Sequence, residues 1–138
     1  MTFTREQLAK GIWDDDIDRF PLNTYHFELD GYKCNIKRNN YWSYCGYVEL
    51  PETHPDCLKD FDESLEDNIE VHGGVTYING NVFGFDCSHC YDISPGLITS
   101  YNILGIQNCR IDEGYHYWTF DEVKEEVVKM VKQFKARE

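Results

Sequence analysis

The last twenty residues constrain this chain more than any other stretch. Thr119-Phe-Asp-Glu122 is a capping box, and Phe120, Val123, Val127, Met130, Val131 and Phe134 then recur at helical spacing on one face. Lys129, Lys132 and Lys135 sit toward the C-terminus, where they suit the helix dipole. A helix with one apolar stripe has to lie on something, and the rest of the chain supplies strands. Asp30-Gly31 separates two short runs, Tyr25–Leu29 and Tyr32–Lys37, and tolerates the positive φ angles of a tight hairpin. Asn79-Gly80 does the same between Ile69–Ile78 and Asn81–Cys87, and a further strand is predicted from Tyr41 to Leu50, ending at Pro51. Ten Tyr and eight Phe fit half-buried sheet. The expected fold is α+β: an antiparallel sheet of about five strands, a long C-terminal amphipathic helix across it, and a short N-terminal helix from the Thr4–Gln7 capping box to about Trp13.

A length of 138 residues suits one domain, 1–138, because two cores would each be too small. Leu58, Phe61 and Leu65 predict a short surface helix inside the acidic stretch after Pro55, and Pro95–Arg110 shows no clean period.

The net charge of −12 opposes direct binding to nucleic acid or to an anionic membrane. The acids cluster at Asp14, Asp15, Asp16 and Asp18, and again from Asp56 to Glu70. They read as solvated faces, or as a nucleic-acid mimic presented to a basic partner. With no apolar run of spanning length and no leader pattern at Met1-Thr-Phe-Thr-Arg-Glu, a cytoplasmic location is expected. Cys34, Cys45, Cys57, Cys87, Cys90 and Cys109 are then reduced thiols, several of them small core residues.

The chemistry is concentrated between His72 and Asp92. A two-residue turn at Asn79-Gly80 would pair His72 with Cys87 and Thr76 with Phe83, placing His72, Thr76, Phe83, Phe85 and Cys87 on one face and Val71, Val75, Tyr77, Val82 and Asp86 on the other. A turn at Gly80-Asn81 preserves those faces. Gly73 and Gly74 inside a strand mark a bulge or the close approach of another group. Phe85-Asp86-Cys87-Ser88-His89-Cys90-Tyr91-Asp92 offers three chemistries. His72, Cys87, His89 and Cys90 are candidate zinc ligands, although no second Cys-x-x-Cys or His-x-x-His pair supports them, and no cofactor is expected. His72, Cys87 and His89 are the candidate catalytic residues of a small hydrolase, with Asp92 rather than Asp86 free to approach His72. His72, Gly73, Gly74, Thr76, Phe85, Asp86, His89 and Asp92 are the candidate contacts of a small ligand, with Arg38 and Arg110 available to offset phosphate. The aromatics of Tyr41–Tyr47 and Tyr115–Trp118 also suit a homo-oligomer interface.

Cys45-Gly46-Tyr47-Val48, Leu50-Pro51, His54-Pro55, Val71-His72-Gly73-Gly74-Val75-Thr76-Tyr77 and Phe83-Gly84-Phe85-Asp86-Cys87-Ser88-His89 with Asp92 together resemble a set of small bacteriophage and prophage proteins, most without an assigned function. The chain departs from them at Cys90-Tyr91, where small residues are expected, so ligation by Cys90 would not account for the shared motif. The resemblance implies a viral accessory protein in the bacterial cytoplasm, of the kind that counters host defence by sequestering a nucleotide signal or by binding a defence enzyme. The expected function is capture of a small nucleotide-type ligand; the alternatives are an acidic protein-binding inhibitor of a nucleic-acid-handling enzyme and a His/Cys hydrolase.

Overall fold

The computed structural model describes residues 3–56, 68–106 and 114–138. Five antiparallel strands form one sheet in the order β1-β2-β3-β5-β4: β1 Thr24–Leu29, β2 Tyr32–Arg38, β3 Tyr44–Glu49, β4 Tyr77–Asn79 and β5 Val82–Asp86. Among the described residues three α-helices accompany them, α1 Asp14–Arg19, α2 Pro95–Ile103 and α3 Phe120–Lys135, and α3 packs on β3 and β2. Among the described residues no helix is long and apolar enough to cross a membrane.

The stripe read from the sequence is the stripe that α3 buries. Val123, Val127, Met130, Val131 and Phe134 are each 0% exposed, at about 1.5–3 kcal/mol for each such side chain fully removed from water. They rest on Ile36, Val48, Phe83 and Phe85, all within the same core. Gly46 permits the crossing, since a Cβ there would stand 2.8 Å from Val127 Cγ2 and 2.5 Å from the Phe85 ring. The helix start is held by the full capping box of Thr119 and Glu122.

The β1–β2 turn is as predicted, with Asp30 and Gly31 at φ 51° and 86°. The second hairpin turns at Gly80-Asn81, because Asn79 pairs with Val82 and Ile78 with Phe83. Only Gly80 of those two has positive φ, the pattern of a type II′ turn. Its first strand is much shorter than Ile69–Ile78. Gly73 and Gly74 both take positive φ, 70° and 79°, and Gly74 N donates to Val71 O at 2.8 Å, so residues 71–74 form a turn and β4 begins at Tyr77. The predicted facing pair His72–Cys87 therefore does not form. Val71 and Val75 go into the core, whereas Thr76 is exposed and bonds Asp86, the reverse of the alternation expected.

The N-terminal helix also differs. The Thr4–Gln7 box caps only a single 3₁₀ turn, Arg5–Gln7, and Leu8 leaves it in extended geometry. Trp13, fully buried, fills the space above Gly11, and Asp14 then accepts Gly11 N at 2.9 Å at the start of α1. β3 starts at Tyr44 rather than Tyr41, since Asn39 Oδ1 accepts the N–H groups of Tyr41 and Ser43 and holds a turn there. α2 escaped the periodicity because its apolar residues are not on one side: Ile98 is buried, but Ile103 is 67% exposed. The predicted helix through Leu58, Phe61 and Leu65 lies outside the described residues.

Candidate functional site

Asp92 gathers the residues that the sequence singled out. His72 Nε2 lies 3.0 and 2.9 Å from its two oxygens, Trp118 Nε1 donates to Oδ1 at 3.1 Å, and His89 N donates to Oδ2 at 3.0 Å. Asp92 itself is 7% exposed. A carboxylate partner requires the His72 proton on Nε2 and leaves Nδ1 as the ring nitrogen without a protein hydrogen bond among the described residues. The Trp118 ring lies over the His72 ring with centroids 4.0 Å apart and planes 31° apart. The imidazole is therefore fixed in tautomer, in plane and in direction.

The backbone beneath it is equally determined. His72 N donates to Glu126 Oε1 of α3 at 2.8 Å, and the Gln133 amide makes reciprocal bonds to Glu70 N and Glu70 O, each 2.6 Å. The Gly73-Gly74 turn follows immediately. A Cβ on Gly73 would stand 2.3 Å from His89 Cδ2 and Nε2, so the close approach predicted for these glycines is that of the His89 ring. Gly74 faces open space. His89 Nε2 lies 3.2 Å from Asp86 Oδ1 but makes no hydrogen bond among the described residues.

His72, Gly73, Gly74, Thr76 and Trp118 line a groove of about 570 Å³, with Glu126 and Lys129 on its α3 side. That volume lies within the usual range for small-molecule sites. A larger groove, about 900 Å³, follows the outward side of α3 past Asp121, Lys124, Glu125, Lys129 and Lys132. Its charges are of both signs along one helix, as on solvated faces.

Of the predicted contacts, His72, Gly73, Gly74 and Thr76 line the groove, and Asp92 and His89 stand directly behind His72. Asp86 holds Thr76 Oγ1 at 3.0 Å and Ser88 N at 3.0 Å, so it braces the site from the other face of the sheet. Phe85 does not contribute: it is 1% exposed beneath α3. Cys87 is 2% exposed, and burial pushes its thiol well above the ordinary range, with Asp92 and other acids adding to the effect. It is a core residue, and its thiol has no pairing with His72 of the kind the hydrolase reading expects. Cys90 is exposed, and among the described residues no three His, Cys, Asp or Glu side chains converge as metal ligands would.

Two expectations about charge also change. Arg38 is 8% exposed, bonded to Phe20 O, Trp42 O and the Tyr44 hydroxyl beside Asp16, and cannot serve a ligand phosphate at the groove. Arg110, with Cys57, Cys109 and the acids Asp60 to Asp67, lies outside the described residues. The first acidic cluster is only partly surface: Asp16 is buried and Arg5 Nη2 bridges Asp14 and Asp18 at 3.1 and 3.3 Å, while Asp15 and Asp18 remain exposed. Of the aromatics suggested for a subunit interface, Tyr44 and Tyr117 are in the core and Trp118 is at the site, whereas Tyr41 is exposed and Trp42, Tyr47 and Tyr115 are half-buried.

Sequence reading missed the roles of Trp118 and Glu126. Trp118 directly precedes a clear N-cap, and Glu126 adjoins the buried Val123/Val127 stripe, so the helix register alone places both beside the sheet end where the motif lies. Compared with known proteins, the chain matches no family model, no curated protein and no solved structure.

Proposed function

We propose that this protein binds a small nucleotide-type ligand in the groove beside the Gly73-Gly74 turn, and that it acts as a viral accessory protein by sequestering that ligand from host defence. The observation that carries the reading is the fixed His72–Trp118 ring pair at the edge of a groove whose floor, at Gly74, has no side chain above it. Such an edge offers a planar ring a stacking surface and one oriented acceptor, Nδ1 of His72. Lys129 is the feature suited to a phosphate, while Glu70 and Glu126 repel one, so the base is assigned to the His72/Trp118 end.

The burial of Asp16 and the pairing of Asp14 and Asp18 with Arg5 weaken the mimic reading, and the burial of Cys87 weakens the hydrolase reading. Neither gains an observation in return. Native mass spectrometry of protein purified from bacterial cells, followed by calorimetry with a panel of cyclic nucleotides, tests the proposal. One ligand per chain is expected, with binding lost in Trp118→Ala and His72→Ala. An apo mass together with no heat from any member of the panel would overturn it.

A further inference from the structure

We infer that the free edge of β1 pairs with β1 of a second copy, joining two five-stranded sheets into one. The two edges of this sheet are protected very differently. β4 is three residues long and flanked by turns, and short edge strands resist pairing. β1 pairs with β2 along all six of its residues without a bulge, and Thr24-Tyr-His-Phe-Glu-Leu29 contains neither Pro nor Lys, so Glu28 is its one charged guard apart from the titratable His26.

The hairpin fixes which peptide groups are available. Leu29–Tyr32 closes the two-residue turn and Arg38 N donates to Asn23 O, so the odd-numbered residues of β1 bond toward β2. Thr24, His26 and Glu28 therefore point their N–H and C=O groups outward, and among the described residues nothing bonds to them. Odd-numbered side chains, Tyr25, Phe27 and Leu29, lie half-buried on the face that carries α3, while Thr24, His26 and Glu28 are exposed on the other. α3 crosses β3 and β2, and over β1 its Phe120 packs on Tyr25 with ring centroids 4.9 Å apart and its Lys124 Nζ lies 5.3 Å from the Phe27 ring centroid, contacts that occupy the sheet face and not the outward peptide edge.

Antiparallel pairing of two copies must keep like faces together, and one register satisfies the side chains. Phe27 faces Phe27, Tyr25 faces Leu29, and His26 faces Glu28 twice, all by symmetry. Glu28 already stands opposite Lys33, and His26 opposite Asn35, so each row across the joined sheet runs Glu49, Lys33, Glu28, His26, Asn35 without two like charges adjacent. Shifting by two residues sets His26 against His26 and loses this pattern. The net charge of −12 per copy opposes association at low salt, so the dimer strengthens as added salt shortens the screening length toward about 8 Å.

Sedimentation velocity over a concentration series at low and at near-physiological salt, with the full chain, reads the affinity directly. A dimer is expected; His26→Glu, which places like charges opposite one another twice, raises its dissociation constant about tenfold, and His26→Lys lowers it. His26 is exposed, so the monomer folds in either variant. In a background with Cys57, Cys90 and Cys109 replaced by Ser, Phe27→Cys forms an intermolecular disulfide on mild oxidation, whereas His26→Cys does not. A monomer under all conditions, a dimer indifferent to His26→Glu, or a cross-link at position 26 in place of 27 would each overturn the inference.

Discussion

Asp16 and Asp92 are buried to the same extent, each 7% exposed, and each collects several donors from distant parts of the chain. Asp16 takes the Tyr44 hydroxyl at 2.9 Å, the Tyr117 hydroxyl at 2.6 Å and Phe120 N at 3.1 Å, with Arg38 Nη2 4.0 Å away. All of those partners are themselves buried, and burial pushes both phenols above their ordinary range, keeping them protonated donors. Asp92 instead holds one donor that is 21% exposed, the His72 ring, and that ring opens onto the groove. The same device thus closes a core in one place and aims a side chain in the other. The two are linked through four residues of chain: Tyr117 and Phe120 go to Asp16, and Trp118 between them goes to Asp92.

If Asp16 is structural, its removal carries the largest cost in stability. Asp16→Ala leaves Arg38 buried without its carboxylate and strips two buried phenols and the first peptide of α3 of their acceptor. A loss of about 3–5 kcal/mol is expected, lowering Tm by roughly 10–20 °C in calorimetry. A loss below about 1 kcal/mol would mean that water replaces Asp16 and that the comparison fails. Asp92→Ala should cost less, about 1–3 kcal/mol, for unsatisfied donors at Trp118 and His89. Its main effect is expected at the groove, where released His72 and Trp118 rings no longer present one surface, so ligand affinity falls further than stability does. Equal effects of the two substitutions on binding and on melting would erase the distinction.

Much of the frame was legible because it is written locally. The α3 stripe, its capping box and the Asp30-Gly31 turn all lie within a few residues of the features they specify. Asp16 was not legible: it sits in an acidic run that reads as solvated surface, and its partners are 28, 101 and 104 positions away. Asp92 was legible as the acid free to reach His72, since alternation set Asp86 on the opposite face. The path by which they meet was misread. A strand through Val71–Thr76 and a turn at Gly73-Gly74 share the same hydrophobic pattern, and only the positive φ of both glycines separates them. Phe85 and Cys87 were assigned correctly to a shared face, but that face is the core.

The smallest test concerns the segment between the two carboxylates. The start of α3 is served twice over: Asp16 accepts Phe120 N, while Thr119 Oγ1 accepts Glu122 N and Glu122 Oε1 accepts Thr119 N at 3.1 Å. Thr119→Ala is expected to cost about 1 kcal/mol, the usual value of an N-cap, because the Asp16 bond survives it. Although burial alone would raise it, the Glu122 carboxyl is held below its ordinary pKa by the Thr119 N–H and by His116, whose Nε2 is 2.7 Å away. A depressed folded-state pKa stabilises the protein above the unfolded value, and that contribution disappears as pH falls through the folded value. Chemical denaturation of wild type and Glu122→Ala across the acid range should therefore give curves that differ at neutral pH and converge toward acid. A gap that persists at low pH would assign the helix start to packing, and would leave Asp16 as the only carboxylate that holds it.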